Sequence, residues 1–262
     1  MESALSEIEF LALSPNRVET LRLLADRPHT RRELVAETGA SQPTVGRILG
    51  DFEERSWVVR DGGEYRTTAT GTLVAQGFDD LLSIVDTEEK LRPVVRWLPT
   101  DAIGFDLERL ADATITTPSQ VRPNAPVKRA LDLLGDAEEV RIFSYAFNEQ
   151  SLDVITDRTA AGQQRFEGVF SSSAIDAIAD DSRLRQQLHE LLTAEHASIR
   201  ITDEEIPVAA TVADSVVHLF LRDDRGLLQA SLDVDDPAVL AWADETFARY
   251  WETATPLDPE QL

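Results

Sequence analysis

The chain has 262 residues, 42% of them hydrophobic, and carries 48 acidic against 25 basic side chains, for a net charge of −23. That hydrophobic share excludes a disordered acidic chain, which lacks core-forming residues, and the absence of cysteine excludes disulfides, thiolate metal sites and thiol redox sensing. No apolar run approaches the roughly 20 residues of a membrane span, and Glu2, Glu7 and Glu9 stand where a signal peptide would be positive, so a cytoplasmic protein with no membrane partner is expected.

Ser14-Pro15-Asn16 is a helix-start signal; Val18, Leu21, Leu24 and Ala25 follow at helical spacing, and Pro28 closes the element. Thr30 with Glu33 makes a capping box for a second helix, which carries Leu34 and Val35 inward and stops at Gly39. A third helix follows at once. Ser41 caps it, Pro43 sits in its first turn where a missing N–H costs nothing, and Val45, Ile48, Leu49 and Phe52 recur on one buried face. Helix, short turn, helix is the arrangement that offers the N-terminal end of its second helix to the major groove of DNA. Gln42, Thr44 and Arg47 then face outward, and these are side chains that read adenine, thymine and guanine edges. Arg31, Arg32 and Ser41 complete the expected DNA-facing set on these two helices. Gly46 and Gly50, each costing a helix about 1 kcal/mol, point to close approach by the DNA backbone or by a neighbouring helix.

Beyond this helix, Trp57-Val58-Val59-Arg60 and Tyr65-Arg66-Thr67-Thr68 flank Asp61-Gly62-Gly63-Glu64, which reads as a hairpin. A hairpin directly behind a recognition helix is a wing, and Arg60 and Arg66 near its tip are candidates for phosphate or minor-groove contact. The order of these pieces, running from Thr-Arg-Arg-Glu-Leu through Ser-Gln-Pro-Thr-Val-Gly-Arg to Tyr65-Arg66-Thr67-Thr68-Ala69-Thr70-Gly71, resembles the winged-helix domains of haloarchaeal regulators. It is similar to the ArsR, MarR and TrmB-like groups, whose wing often ends in Tyr-x-Leu-Thr-x-x-Gly; here Thr67 replaces the leucine.

Residues 71–98 read as one long helix whose apolar stripe, including Leu73, Leu81, Leu82, Val85, Leu91 and Val94, is broader than one small domain requires. Such a surplus fits a homodimer, with packing against the chain's own second domain as the alternative. Strands are expected at about 112–117, 139–145, 166–171, 198–202, 206–213, 216–222 and 227–233, and helices at 124–135, 148–162, 173–194 and 236–252. Asp223-Asp224-Arg225-Gly226 marks a hairpin turn, and Trp242, Phe247, Tyr250 and Trp251 of the last helix read as core aromatics. Early strand–helix alternation followed by hairpins implies an α/β domain with a mixed sheet.

Leu110 to Pro118 and Pro126-Val127-Lys128-Arg129 resemble the effector domain beside winged helices in methanogenesis and filamentation regulators, a domain related to TrmB and phospholipase D-like in fold. An active phospholipase D-like enzyme uses a His-x-Lys pair. The chain offers His218-Leu219-Phe220, so no catalytic residue and no enzymatic activity are expected. His189 and His196 lie near Glu190 and Glu195, but solvated helix positions are the simpler reading, and neither a metal nor a cofactor is expected. For a small-molecule effector the candidates are strand-end and anion-holding side chains: Ser144, Tyr145, Ser171, Ser172 and Ser173, with Arg122, Arg200 and His218. A plain helix cap explains the three serines equally well.

Charge is unevenly divided. Residues 1–70 hold nine arginines and twelve acids, while residues 71–262 hold sixteen basic and thirty-six acidic side chains, and Lys90 and Lys128 are the only lysines. Acids spread over ordered elements with lysine almost eliminated suit a surface solvated in molar salt, where repulsion is screened within roughly 3 Å, so a halophilic source is expected. The sequence thus predicts an α+β multidomain protein: a winged helix-turn-helix at 1–70, a connecting and dimerisation helix at 71–104, and an α/β effector-sensing domain at 105–262. The expected function is a dimeric transcriptional regulator that binds double-stranded DNA. A protein-interaction module, or a phospholipase D-like enzyme with an accessory winged helix, is the alternative.

Overall fold

The computed structural model describes residues 1–261, and the chain separates after Asp86 into two units, each with its own core. The first unit contains α1 (Glu2–Ala12), α2 (Pro15–Asp26), β1 (His29–Thr30), α3 (Arg31–Thr38), α4 (Gln42–Glu54), β2 (Val58–Asp61), β3 (Glu64–Thr67) and most of α5 (Ala69–Leu91). Leu21, Leu24, Leu34, Val45, Ile48 and Phe52 close its centre. α1 was not expected from the sequence; it buries Leu11 and sets Phe10 edge-on to Phe52 and Trp57, at 6.2 and 6.1 Å between ring centres.

The hairpin of β2 and β3 pairs Asp61 with Glu64, and β1 adds a third, short strand on β3. Gly71 allows α5 to start hard against the hairpin, since a Cβ there would lie 1.9 Å from the Trp57 carbonyl oxygen. The helix expected over 71–98 ends instead at Leu91. Pro93 has no N–H to continue it and disfavours helical geometry at Arg92, and only a short 3-10 turn, Val95–Trp97, follows.

The second unit is an eight-stranded mixed sheet covered on both faces. Its strands are β4 (Thr114–Thr116), β5 (Glu139–Ser144), β6 (Arg165–Ser171), β7 (Ala197–Thr202), β8 (Ala209–Ala213), β9 (Val216–Arg222), β10 (Leu228–Val234) and β11 (Thr255–Pro256). Its helices are α6 (Ala125–Asp136), α7 (Glu149–Ala160), α8 (Ser172–Ala179), α9 (Ser182–Thr193) and α10 (Pro237–Thr253). The order is β11-β7-β6-β5-β8-β9-β10-β4, with β5, β6 and β7 parallel and every other pairing antiparallel. Alternation sends Phe143, Val169, Val212, Leu219 and Leu232 toward α10, and Val140, Ile142, Phe166 and Phe170 toward the core shared with α7, α8 and α9.

Three departures from the sequence reading have local causes. The single helix expected at 173–194 is two, because Asp181 accepts the N–H groups of Arg183 and Leu184 and restarts the chain as α9. The strand expected at 206–213 begins at Ala209, since Pro207 cannot donate to a ladder. The edge strand expected at 112–117 shortens to Thr114–Thr116. The turn at Asp223 forms as expected: its carboxylate accepts the Arg225 and Leu227 N–H groups at 3.0 and 2.9 Å, and Gly226 supplies a φ of 77°. Among the described residues no helix is long and apolar enough to cross a membrane.

Candidate nucleic-acid interface

The turn between α3 and α4 is built from local chemistry. Thr30 accepts the Glu33 N–H, while Glu33 Oε2 accepts the Thr30 N–H at 2.7 Å and its hydroxyl at 2.8 Å. These bonds, the backbone one foremost, hold the Glu33 carboxyl below its ordinary value. Gly39 ends α3 with a φ of 69°, a left-handed conformation that a Cβ disfavours. Ser41 then caps α4 by accepting the Thr44 N–H at 3.3 Å.

On α4, Val45, Ile48, Leu49 and Phe52 are buried, and Gln42 and Arg47 are exposed with no side-chain partner among the described residues. Thr44 behaves differently from the sequence reading. It is half-buried, and its hydroxyl lies 2.9 Å from that of Ser41, so it belongs to the cap more than to the outward face. Arg31 also differs. Its guanidinium lies across the first turn of α4 and donates to the Gln42 carbonyl. A Cβ on Gly46 would fall 2.1 Å from Arg31 Nη2, so the guanidinium of the neighbouring helix lies close over this glycine and would have to swing aside for a side chain. Gly50 meets nothing within 4 Å.

The wing tip turns through Gly62 and Gly63, whose φ values of 56° and 103° are the positive ones a two-residue hairpin demands. Arg60 and Arg66 are exposed, and Arg60 sits 5.7 Å from the Tyr65 ring. At the wing root Thr67, standing where the related signature has leucine, lies 3.3 Å from the Leu24 carbonyl oxygen and 2.9 Å from the Thr72 hydroxyl. Hydrogen bonding there replaces apolar packing.

Arginine pairing sorts this surface from the rest of the unit. Arg17, Arg22, Arg27 and Arg55 are engaged by Asp51, Asp79, Glu37 and Glu7 respectively. Arg32, Arg47 and Arg66 have no ion pair among the described residues. The unpaired cations are therefore those of the helix-turn-helix and the wing.

Of the expected effector residues of the second unit, Tyr145, Ser171 and Ser173 come together, the Ser171 hydroxyl lying 3.3 Å from the Tyr145 carbonyl oxygen, while Arg122, Arg200 and His218 lie elsewhere. Ser144 Oγ donates to the Ala146 carbonyl at 2.7 Å and accepts its N–H at 3.1 Å. Ser171 caps α8 and lies 3.1 Å from the Ser173 hydroxyl, while Ser172 donates to Asp203. Arg200 donates to the Trp251 and Ala254 carbonyls and lies 4.5 Å from the Trp251 ring centre. Ser144 lines a small cavity of about 40 Å³ with Asn148, Thr211 and Arg222; Tyr145 and Ser173 line another depression, and Arg122 a third.

His218 is fully buried and belongs to a network that the sequence did not reveal. Its Nδ1 donates to Asp233 Oδ1 at 2.6 Å, and Arg129 donates from α6 to the other oxygen. Burial alone would raise the Asp233 carboxyl; the bonds from His218 and Arg129 outweigh it and hold the carboxyl below its ordinary value. Phe220 stands edge-on to the imidazole, at 4.6 Å between ring centres, where a His-x-Lys pair would have its lysine. The arrangement pins α6 to β9 and β10. Among the described residues no group of three or more histidines and carboxylates gathers as a metal site.

Comparison with known proteins gives two family matches. Residues 5–90 match the HVO_A0261 N-terminal domain, and residues 123–253 match the middle domain of the methanogenesis regulatory protein FilR1. No curated protein matches the sequence. Among solved structures, the archaeal chromatin protein TrmBL2, described as showing a novel mode of DNA binding, is 16% identical, covers 95% of this chain and 98% of its own, and has a TM-score of 0.44. NucT from Helicobacter pylori is 10% identical over 55% of this chain and 98% of its own, with a TM-score of 0.44. Nuc, a phospholipase D family member from Salmonella typhimurium, is 12% identical over 55% and 98%, with a TM-score of 0.43.

Proposed function

The chain belongs to the family defined by the middle domain of the methanogenesis regulatory protein FilR1, and on that premise we propose that it is a sequence-specific, double-stranded-DNA-binding transcriptional regulator of a halophilic cell, with a second unit that senses a small molecule. The observation that carries the reading is the outward side of α4. A helix capped by Ser41 and set by Gly39 leaves the Gln42 and Arg47 side chains exposed, with no partner among the described residues, and the wing that follows carries Arg60 and Arg66. Arg47 is suited to a bidentate contact with guanine and Gln42 to one with adenine; Arg32, Arg60 and Arg66 are suited to phosphate. Arg31 and Ser41 act by holding the start of α4.

A homodimer completes the reading. Leu73, Leu81, Ile84 and Val85 of α5 are exposed large apolar side chains, and a second copy of the helix would cover them. An effector bound in the second unit would then alter the spacing or order of the two recognition helices. In molar salt the release of counterions from DNA contributes little, so base readout and DNA shape carry more of the specificity.

Selection of bound fragments from random duplexes in molar potassium chloride tests the reading, with an enriched, two-fold symmetric sequence expected. Arg47→Ala should relax one base position by roughly 1–3 kcal/mol of discrimination, whereas Arg66→Ala should weaken all duplexes alike. Selection that enriches no sequence refutes it.

A further inference from the structure

On the edge of the second unit, β4, the turn after it and the first turns of α6 enclose a groove of about 580 Å³ lined by Thr116, Thr117, Arg122, Asn124, Lys128 and Arg129 among others. That volume lies within the range of small-molecule clefts. The rest of the unit is hostile to anions, with thirty-three acidic side chains against sixteen basic ones from residue 87 onward. Three of those sixteen line this groove, including one of the chain's two lysines, against a single lining carboxylate, Asp132.

Their donors are only partly committed. Arg122 is exposed and has no side-chain partner among the described residues, yet its backbone is fixed, for Ser119 and Arg122 exchange N–H···O bonds of 3.1 Å and the Ser119 hydroxyl accepts the Arg122 N–H at 3.1 Å as well. Arg129 engages Asp233 through Nε alone, its side chain is 41% exposed, and its Nη donors have no partner among the described residues. Lys128 rests on Asp132, both exposed, at 2.7 and 2.8 Å. One cation is thus uncompensated, a second keeps a free guanidinium edge, and a third is held by a surface pair that is worth little in water. Behind the groove the wall is polar too. Ser231 pairs in register with Thr116, both on the same face of the sheet, and its fully buried hydroxyl has no partner among the described residues.

Resting on the reading that the second unit senses a ligand, we infer that this groove is the effector site and that it takes a small polyanion bearing phosphate or several carboxylates. The planar edges of Arg122 and Arg129 suit the paired oxygens of either group. The chain's net charge selects against a large polyanion at this place and in favour of a small one that the groove can surround. An anion drawing on Arg129 also acts on the Asp233–His218 pair behind it, and so on the seat of α6 against β10.

Titration of the full chain with pyrophosphate and, separately, with citrate tests this in molar potassium chloride, where chloride already occupies isolated surface cations. Saturable binding of one probe is expected, and which one binds identifies the oxyanion. Arg122→Gln should weaken it roughly tenfold, the loss of one charge-assisted bond, and Arg129→Lys, which keeps a cation for Asp233, should weaken it as well. Arg225→Gln, outside the groove, should leave it unchanged. No saturable binding of either probe, or binding indifferent to Arg122→Gln, overturns the inference; so does a loss of duplex affinity in Arg122→Gln without any anion binding, which would make the groove a DNA contact. A chain that selects a DNA sequence but binds no anion refutes this inference alone. One that binds the anion but selects no sequence refutes the regulator reading alone.

Discussion

Residues 1–86 set nine arginines against fifteen carboxylates, yet Arg32, Arg47 and Arg66 are left with no ion pair among the described residues. From residue 87 onward the acids outnumber the basic side chains two to one, and most of the cations are engaged: Arg92, Lys128, Arg129, Arg141, Arg165, Arg183 and Arg249 on carboxylates, Arg158 and Arg200 on carbonyls. The first unit leaves the arginines of its helix-turn-helix and wing without carboxylate partners, while the second pairs most of its cations and leaves Arg122 and one edge of Arg129 open at a single groove among the described residues. The contrast teaches that the net charge of this chain says little about its reactive face, because the pairing of each cation matters more than the total.

Salt is the largest lever on that contrast. Moving from molar salt to ~0.1 M lengthens the screening distance from roughly 3 to 10 Å, and the second unit, with its uncompensated acids, should unfold first. Trp57 lies in the first unit and Trp97, Trp242 and Trp251 in the second, so a variant retaining only Trp57, compared with one lacking it, separates the two transitions by fluorescence. Equal salt dependence in both units would break the comparison.

Next in size is the buried network. Asp233→Ala leaves the buried His218 without its acceptor and the half-exposed Arg129 without its carboxylate, and should lower stability by about 1–3 kcal/mol, the cost of an unsatisfied buried donor, measured by denaturant unfolding in molar salt. The pH dependence has a definite sign. The folded Asp233 carboxyl titrates below its ordinary value of 3.8, so its contribution is complete above that value and is lost as pH falls through the lowered one. Asp233→Asn should remove that part of the acid sensitivity.

In the first unit the comparable test is steric. Gly71→Ala places a methyl group against the Trp57 carbonyl oxygen, which is backbone and cannot swing aside, and should cost about 1–3 kcal/mol. Gly50→Ala, in helix with nothing within 4 Å, should instead gain about 0.5–1 kcal/mol.

The helix-turn-helix and wing were legible because their signals are local: Thr30 with Glu33, Gly39, Ser41 and the Gly62-Gly63 turn each bond within a few residues. α1 was not, since Leu5 and Ile8 face outward and Met1 contributes no side-chain cap, so neither apolar period nor start signal stands out. The break between α8 and α9 has a local signal, for Ile178 and Leu184 stand six residues apart, out of helical step, and Asp181 between them is a cap residue; only the apolar spacing on either side, Ile175 with Ile178 and Leu184 with Leu188, suggests one helix. Strand ends are where ligands of open α/β sheets sit, which singles out Ser144 and Ser171 in the sequence, but their hydroxyls are taken up by a turn and a cap. Arg129, Asp233 and His218 meet only through the folded sheet, across 104 positions between the arginine and the aspartate, and no spacing along the chain announces that contact.

The smallest effect is the most discriminating. Ser41 and Ser171 make the same cap, each accepting the N–H three residues on at 3.3 Å, one at the head of α4 and the other at the head of α8. Replacing either with alanine should cost about 1 kcal/mol, so thermal melts of the two variants should agree closely. Their DNA affinities should not. Ser41 also contacts the Thr44 hydroxyl and precedes Gln42, so Ser41→Ala frees the first turn of α4 and should weaken binding to the selected duplex, whereas Ser171→Ala should leave it unchanged. Equal loss of affinity in both would mean that binding follows global stability, and the first unit would lose its claim to be the reading head.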